Sequence, residues 1–92
     1  MSIFDDLVEE IQNDIRLLLN TPDKIPNYMT QKQLNAILDE ISKMAYIKNP
    51  KKFYPYYPKG MADACWIADH PLVIKLNRIL DIYINQEIDG ED

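Results

Sequence analysis

The chain holds one cysteine, one histidine, one tryptophan and two glycines in 92 residues. The single cysteine, Cys65, excludes an intramolecular disulfide and points to a reducing compartment. His70 lies five residues beyond it, and one residue of each kind leaves the usual ligand set of a zinc site unfilled, so no metal is expected. Gly60 and Gly90 alone cannot build a glycine-rich phosphate loop. An all-β fold would need more tight turns than two glycines supply. No apolar run approaches the ~20 residues that cross a bilayer. Acids at Asp5 and Asp6 precede any apolar stretch, unlike a signal peptide. These absences together predict a cytoplasmic chain without a membrane partner.

What is present suits a small globular protein. Apolar residues make up 47% and charged residues 27%, an ordinary folded composition, and the length fits one domain spanning 1–92. Acids outnumber Lys and Arg 15 to 10, a net charge of −5. Such a charge repels phosphate backbones but can steer a basic protein toward the surface.

The apolar spacing predicts helices. Phe4, Leu7, Val8, Ile11, Ile15, Leu18 and Leu19 recur at three- and four-residue steps, with Ser2 as N-cap and an end near Asn20 before Pro22. Thr30 should cap a second helix, with Gln33 placed for the reciprocal arm of a capping box. Its stripe is Leu34, Ile37, Leu38, Ile41, Met44 and Ala45, and it should finish before Asn49-Pro50. Residues 48–60 contain Pro50, Pro55 and Pro58, which predicts an extended, polyproline-like connection. A short helix over Met61–Ala68 and a last helix capped by Asp69 or His70 follow, with Pro71 in the first turn. Leu72, Val73, Leu76, Ile79, Leu80 and Tyr83 form the last stripe, and Ile74, Ile82 and Ile84 widen it. The tail from Glu87 to Asp92 reads as frayed. The fold class is therefore all-α: a single-domain bundle of three main helices, one short helix and a Pro/Tyr-rich connection.

Catalytic patterns are scarce. Cys65 and His70 are separated by a predicted helix break, and Ser42 has no histidine nearby in sequence. The pairs Asp5-Asp6, Glu9-Glu10 and Asp39-Glu40 point about 100° apart on a helix and read as solvated faces, not acid/base dyads. No catalytic residue, cofactor or enzyme activity is expected. Lys43, Lys48, Lys51, Lys52 and Lys59 interleave with Phe53, Tyr54, Tyr56 and Tyr57, an arrangement that can hold single strands. The acidity of the remainder and the lack of arginine in the patch argue against nucleic acid. Phe53 and Trp66 are expected to cover an open end of the core. Alternation along an extended segment places Tyr54 and Tyr56 on one side and Tyr57 on the other.

The stretch Tyr57-Pro58-Lys59-Gly60-Met61-Ala62-Asp63-Ala64-Cys65-Trp66 resembles a Tyr-Pro-basic, then Asp-Ser-Trp, pattern of small bacterial helical proteins. Some of these are similar to immunity proteins encoded beside secreted polymorphic or contact-dependent toxins. Cys65 interrupts the Asp-Ser-Trp portion by one position. The resemblance implies a small cytosolic protein that binds and blocks a basic toxin domain. The acidic face of the first helix (Asp5, Asp6, Glu9 and Asp14) or of the second (Asp39 and Glu40), together with Tyr54, Tyr56 and Tyr57, would contact such a partner. The alternative is a helical accessory or scaffold protein that forms a homodimer through Ile74, Ile82 and Ile84 of the last helix.

Overall fold

The computed structural model describes residues 2–85, so the expected frayed tail at 87–92 lies outside the described residues. Among the described residues four helices follow one another: α1 (Ile3–Asn20), α2 (Gln31–Ile47), α3 (Tyr57–Asp63) and α4 (Pro71–Ile84), with a 3-10 turn over Pro22–Lys24. No strand occurs among the described residues. The protein is a small all-α domain, as its periodicity predicts.

Each long helix begins where its capping chemistry dictates. The Ser2 hydroxyl accepts from the Asp5 N–H at 3.1 Å, and Asp5 and Asp6 sit in the first turn at the positive end of the dipole. The Thr30 hydroxyl accepts from the Gln33 N–H while the Gln33 side chain accepts from the Thr30 N–H, both at 3.0 Å, which completes the capping box. His70 Nδ1 accepts from the Leu72 N–H at 3.1 Å, and Pro71 follows where a missing donor does no harm. The Thr21 hydroxyl donates to the Leu17 carbonyl at 2.7 Å and closes α1 ahead of Pro22.

The stripes then meet. Phe4, Leu7, Val8, Ile11 and Ile15 of α1 bury against Leu34, Ile37, Ile41 and Met44 of α2 and Leu72, Val73, Leu76, Ile79 and Tyr83 of α4. Helix α1 packs on both α2 and α4, and α3 rests on α2. The Phe4 and Tyr83 rings stack with centroids 6.3 Å apart. Each large apolar side chain fully withdrawn from water contributes roughly 1.5–3 kcal/mol, set against the entropy of ordering the chain. Phe53 and Trp66 are half-buried against this core, the covering role expected of them. Of the three isoleucines expected to widen α4, Ile82 joins the core while Ile74 and Ile84 are exposed.

Two local expectations need correction. The short helix runs over Tyr57–Asp63, not Met61–Ala68. The connection before it is not extended throughout, because Asn49 folds it into a turn: its side-chain oxygen accepts from the Lys51 N–H at 2.9 Å, and its carbonyl from Lys52 and Phe53. The helix starts early because its cap comes from another element. The Glu40 carboxylate on α2 accepts from the Tyr56 N–H at 3.0 Å and the Tyr57 N–H at 2.8 Å, and Pro58 sits harmlessly in the first turn. The helix stops early because Cys65 adopts a left-handed φ of 58° and the Trp66 N–H donates to the Met61 carbonyl at 3.0 Å. That is a Schellman ending, with a cysteine where glycine is usual.

Candidate functional site

Glu40 fixes α3 against α2, and a groove opens between the two helices. Its volume is about 270 Å³, it is open to solvent, and its lining is largely apolar. Lys32, Ala36, Ile37 and Glu40 form the α2 wall, while Tyr56, Tyr57, Gly60 and Met61 form the other, with Trp66 at the α3 end. A methyl group added at Gly60 would meet nothing within 4 Å, so that position faces open space. Trp66 packs edge-on to Tyr28, with centroids 6.3 Å apart, and its buried indole N–H has no acceptor among the described residues. An unpaired buried donor costs about 1–3 kcal/mol.

The segment leading into α3 is pinned twice to α4. The Tyr57 hydroxyl donates to the Leu76 carbonyl at 2.8 Å, and the Tyr83 hydroxyl donates to the Phe53 carbonyl at 2.6 Å. Burial pushes the Tyr57 hydroxyl far above the usual phenol range, with the nearby Glu40 charge adding to it. Burial also raises Tyr83. Between the pins, Tyr54 and Tyr56 stand 59% and 61% exposed. Tyr57, expected among the contact residues, is only 4% exposed and serves the core instead.

The six acids proposed for partner contact separate into two groups. Asp5 pairs with Lys48 at 3.7 Å, Asp14 with Lys75 at 2.7 Å, and Asp39 with Lys43 at 3.3 Å. Glu40 is engaged with the α3 backbone. Asp14 is the leading cause of a raised Lys75 pKa, through its hydrogen bond to the ammonium, and Glu10 adds a second contact at 3.5 Å. Asp6 and Glu9 are exposed on α1 and form no ion pair among the described residues. The fold thus brings Glu40, Tyr56 and Tyr57 together at one groove and distributes the other acids along α1 and α2.

Sequence reasoning missed Tyr46, which is 90% exposed. It shares the outward face of α2 with Asp39 and Lys43, off the 34/37/41/44 stripe, so an aromatic out of phase with its helix was the available signal. Lys32, Ala36 and Gly60 gave no such signal, because a groove wall depends on how two helices dock.

Other chemistry is sparse among the described residues. No group of three or more His, Cys, Asp or Glu side chains is placed to hold a metal ion, and no helix is long and apolar enough to cross a membrane. His70 is occupied as a cap and lies edge-on to Tyr28, with centroids 6.5 Å apart. Fold and site together define a small helical protein with an aromatic-rimmed groove. The chain matches no family model, no curated protein and no solved structure.

Proposed function

We propose that this is a non-catalytic protein-binding inhibitor of the immunity type, which neutralises a partner protein by covering it. One observation carries the reading. The fold buries a complete apolar core yet leaves Tyr46, Tyr54 and Tyr56 in solvent, the last of them lining an apolar groove. Tyrosine is enriched among the residues that dominate binding energy, because a stiff ring with a polar tip contributes contact area at small entropic cost. The resemblance of residues 57–66 to immunity proteins supplies the inhibitory role, and the net charge of −5 favours a basic toxin domain as partner through long-range steering. Asp6 and Glu9 are the contact acids without a cationic partner among the described residues.

The test is affinity isolation with the full chain and with a Tyr46→Ala/Tyr56→Ala variant whose helical circular dichroism is unchanged. The captured protein should be lost by the variant, and its own activity should fall to zero at one equivalent of the wild-type chain. Equal recovery by the variant, or undiminished activity of the captured protein, would refute the proposal.

A second reading, self-association of a scaffold protein, draws on Ile74 and Ile84, exposed at 53% and 38% on α4. It predicts an oligomer on size exclusion that Ile74→Asp converts to monomer, with little dependence on salt.

A further inference from the structure

The chain's single histidine is used where only one of its protonation states can serve. His70 Nδ1 accepts from the Leu72 N–H at 3.1 Å and so caps α4. A neutral ring that accepts at Nδ1 carries its proton at Nε2. A second proton turns Nδ1 into a donor, and the Leu72 N–H then loses its acceptor. The same proton sets a positive charge at the positive end of the α4 dipole. Helices α1 and α2 begin instead at the Ser2 and Thr30 hydroxyls, which accept at any ordinary pH. Histidine is the side chain whose charge ordinarily changes between about pH 5 and 8.

The surroundings give the added charge no counterion in contact. Tyr28, from the connection between α1 and α2, meets the half-buried His70 ring edge-on at 6.5 Å. That connection also carries Asp23 and Lys24, and Asp69 precedes His70 in the chain, all three exposed. Further along α4, Lys75 is taken up by Asp14 and Glu10 of α1. Among the described residues none of these carboxylates forms an ion pair with His70.

The cap is also joined to the groove. The first turn of α4 buries Leu72 and Val73 in the core. The His70 N–H donates to the Ile67 carbonyl at 3.2 Å, next to Trp66, and Tyr28 stands edge-on to both rings. We propose that His70 is a proton-operated latch. Neutral, it holds the start of α4 and the Trp66 end of the groove; protonated, it loosens both. In mild acid the unfolded chain takes up a proton that the capped fold resists, so stability falls as pH falls. The latch does not depend on what the chain binds.

Urea midpoints of the full chain at pH 7.5 and 5.5 test it against two variants. His70→Asn keeps a cap acceptor that does not titrate, and His70→Ala removes the acceptor at every pH. Losing a cap lowers the folding equilibrium constant about fivefold. Across the interval the wild-type constant should therefore fall about three- to fivefold more than that of His70→Asn. His70→Ala should respond to pH as His70→Asn does, from a lower starting value. Carboxylate titration is common to all three chains and cancels in the comparison. Emission of Trp66, the only tryptophan, should follow the same pH course in the folded wild type and stay constant in His70→Asn. Nitrogen-15 shifts of the wild-type ring at pH 7.5 should show the Nε2–H form.

An equal pH response in wild type and His70→Asn would overturn the latch. So would an Nδ1–H ring, a reading that needs no variant to fold. Constant Trp66 emission in the wild type would overturn its coupling to the groove.

Discussion

Replacing Glu40 should detach α3 without disturbing the three long helices. The carboxylate satisfies two backbone donors, the Tyr57 N–H at 2.8 Å in a partly buried setting and the Tyr56 N–H at 3.0 Å closer to solvent. Hydrogen bonds to a charged group contribute about 1.5–3 kcal/mol when shielded and less when wet. The Tyr57 bond should therefore account for about 1.5 kcal/mol and the Tyr56 bond for about 0.5 kcal/mol, with the charge at the positive end of α3 included in these values. Glu40→Ala should then cost about 2 kcal/mol, and Glu40→Gln, which keeps one acceptor, about 1 kcal/mol. In urea denaturation, with a slope of about 1–2 kcal/mol per molar, the alanine variant should lose about 1–2 M of midpoint at unchanged slope. Amide exchange should accelerate first at Lys59 and Gly60, whose N–H groups donate to the Tyr56 carbonyl in the first turn of α3. A cost for Glu40→Ala below about 0.5 kcal/mol, the level of an ordinary surface substitution, would refute the claim that this side chain caps α3.

Four further outcomes follow from the same geometry. Cys65→Gly should stabilise the fold by about 0.5–1 kcal/mol in thermal or urea melts, because φ of 58° strains any side chain at that position. Gly60→Ala should add up to about 1 kcal/mol, since the new methyl meets no atom and alanine is the better helix former. Tyr57→Phe should cost about 1 kcal/mol at neutral pH by stranding the Leu76 carbonyl from its hydroxyl donor. Alkaline titration should destabilise the protein. Tyr57, Tyr83 and Lys75 are all raised, so the folded state keeps protons that the unfolded chain releases, and stability intact below pH ~10 declines as pH rises further. Tyr57→Phe should flatten that decline, as read from urea midpoints between pH 8 and 11.

The helices were legible because their causes are local. Ser2, Thr30 and His70 announce caps a few residues before the apolar stripes that they start, and Pro22 and Pro71 mark boundaries within a residue or two. Helix α3 was misplaced by four residues because its cap, Glu40, lies 16 and 17 positions from the donors that it satisfies. No window of sequence around Tyr57 contains that information. Its other end was lost for a different reason: Cys65 occupies a left-handed turn that sequence rules assign to glycine.

The contact residues divide along the same line. Tyr54 and Tyr56 are exposed and Tyr57 is buried, but alternation along an extended chain is not the cause, because Tyr56 has helical backbone and Tyr57 opens α3. Which acids remain available was not local, since Asp14 meets Lys75 across 61 residues. The groove itself arises from the docking of α3 on α2 and has no signature in either segment alone.

The two hydroxyl bonds between α4 and the chain at Phe53 and Tyr57 leave only three residues between fixed points. Tyr54 and Tyr56 fall in that short span, with Pro55 between them held buried. Their backbone is thus already ordered before any partner arrives, and only ring rotation remains to be lost on contact. A docking surface built this way should bind with little induced fit, so variants that loosen either hydroxyl bond should slow association and leave the lifetime of the formed complex nearly unchanged.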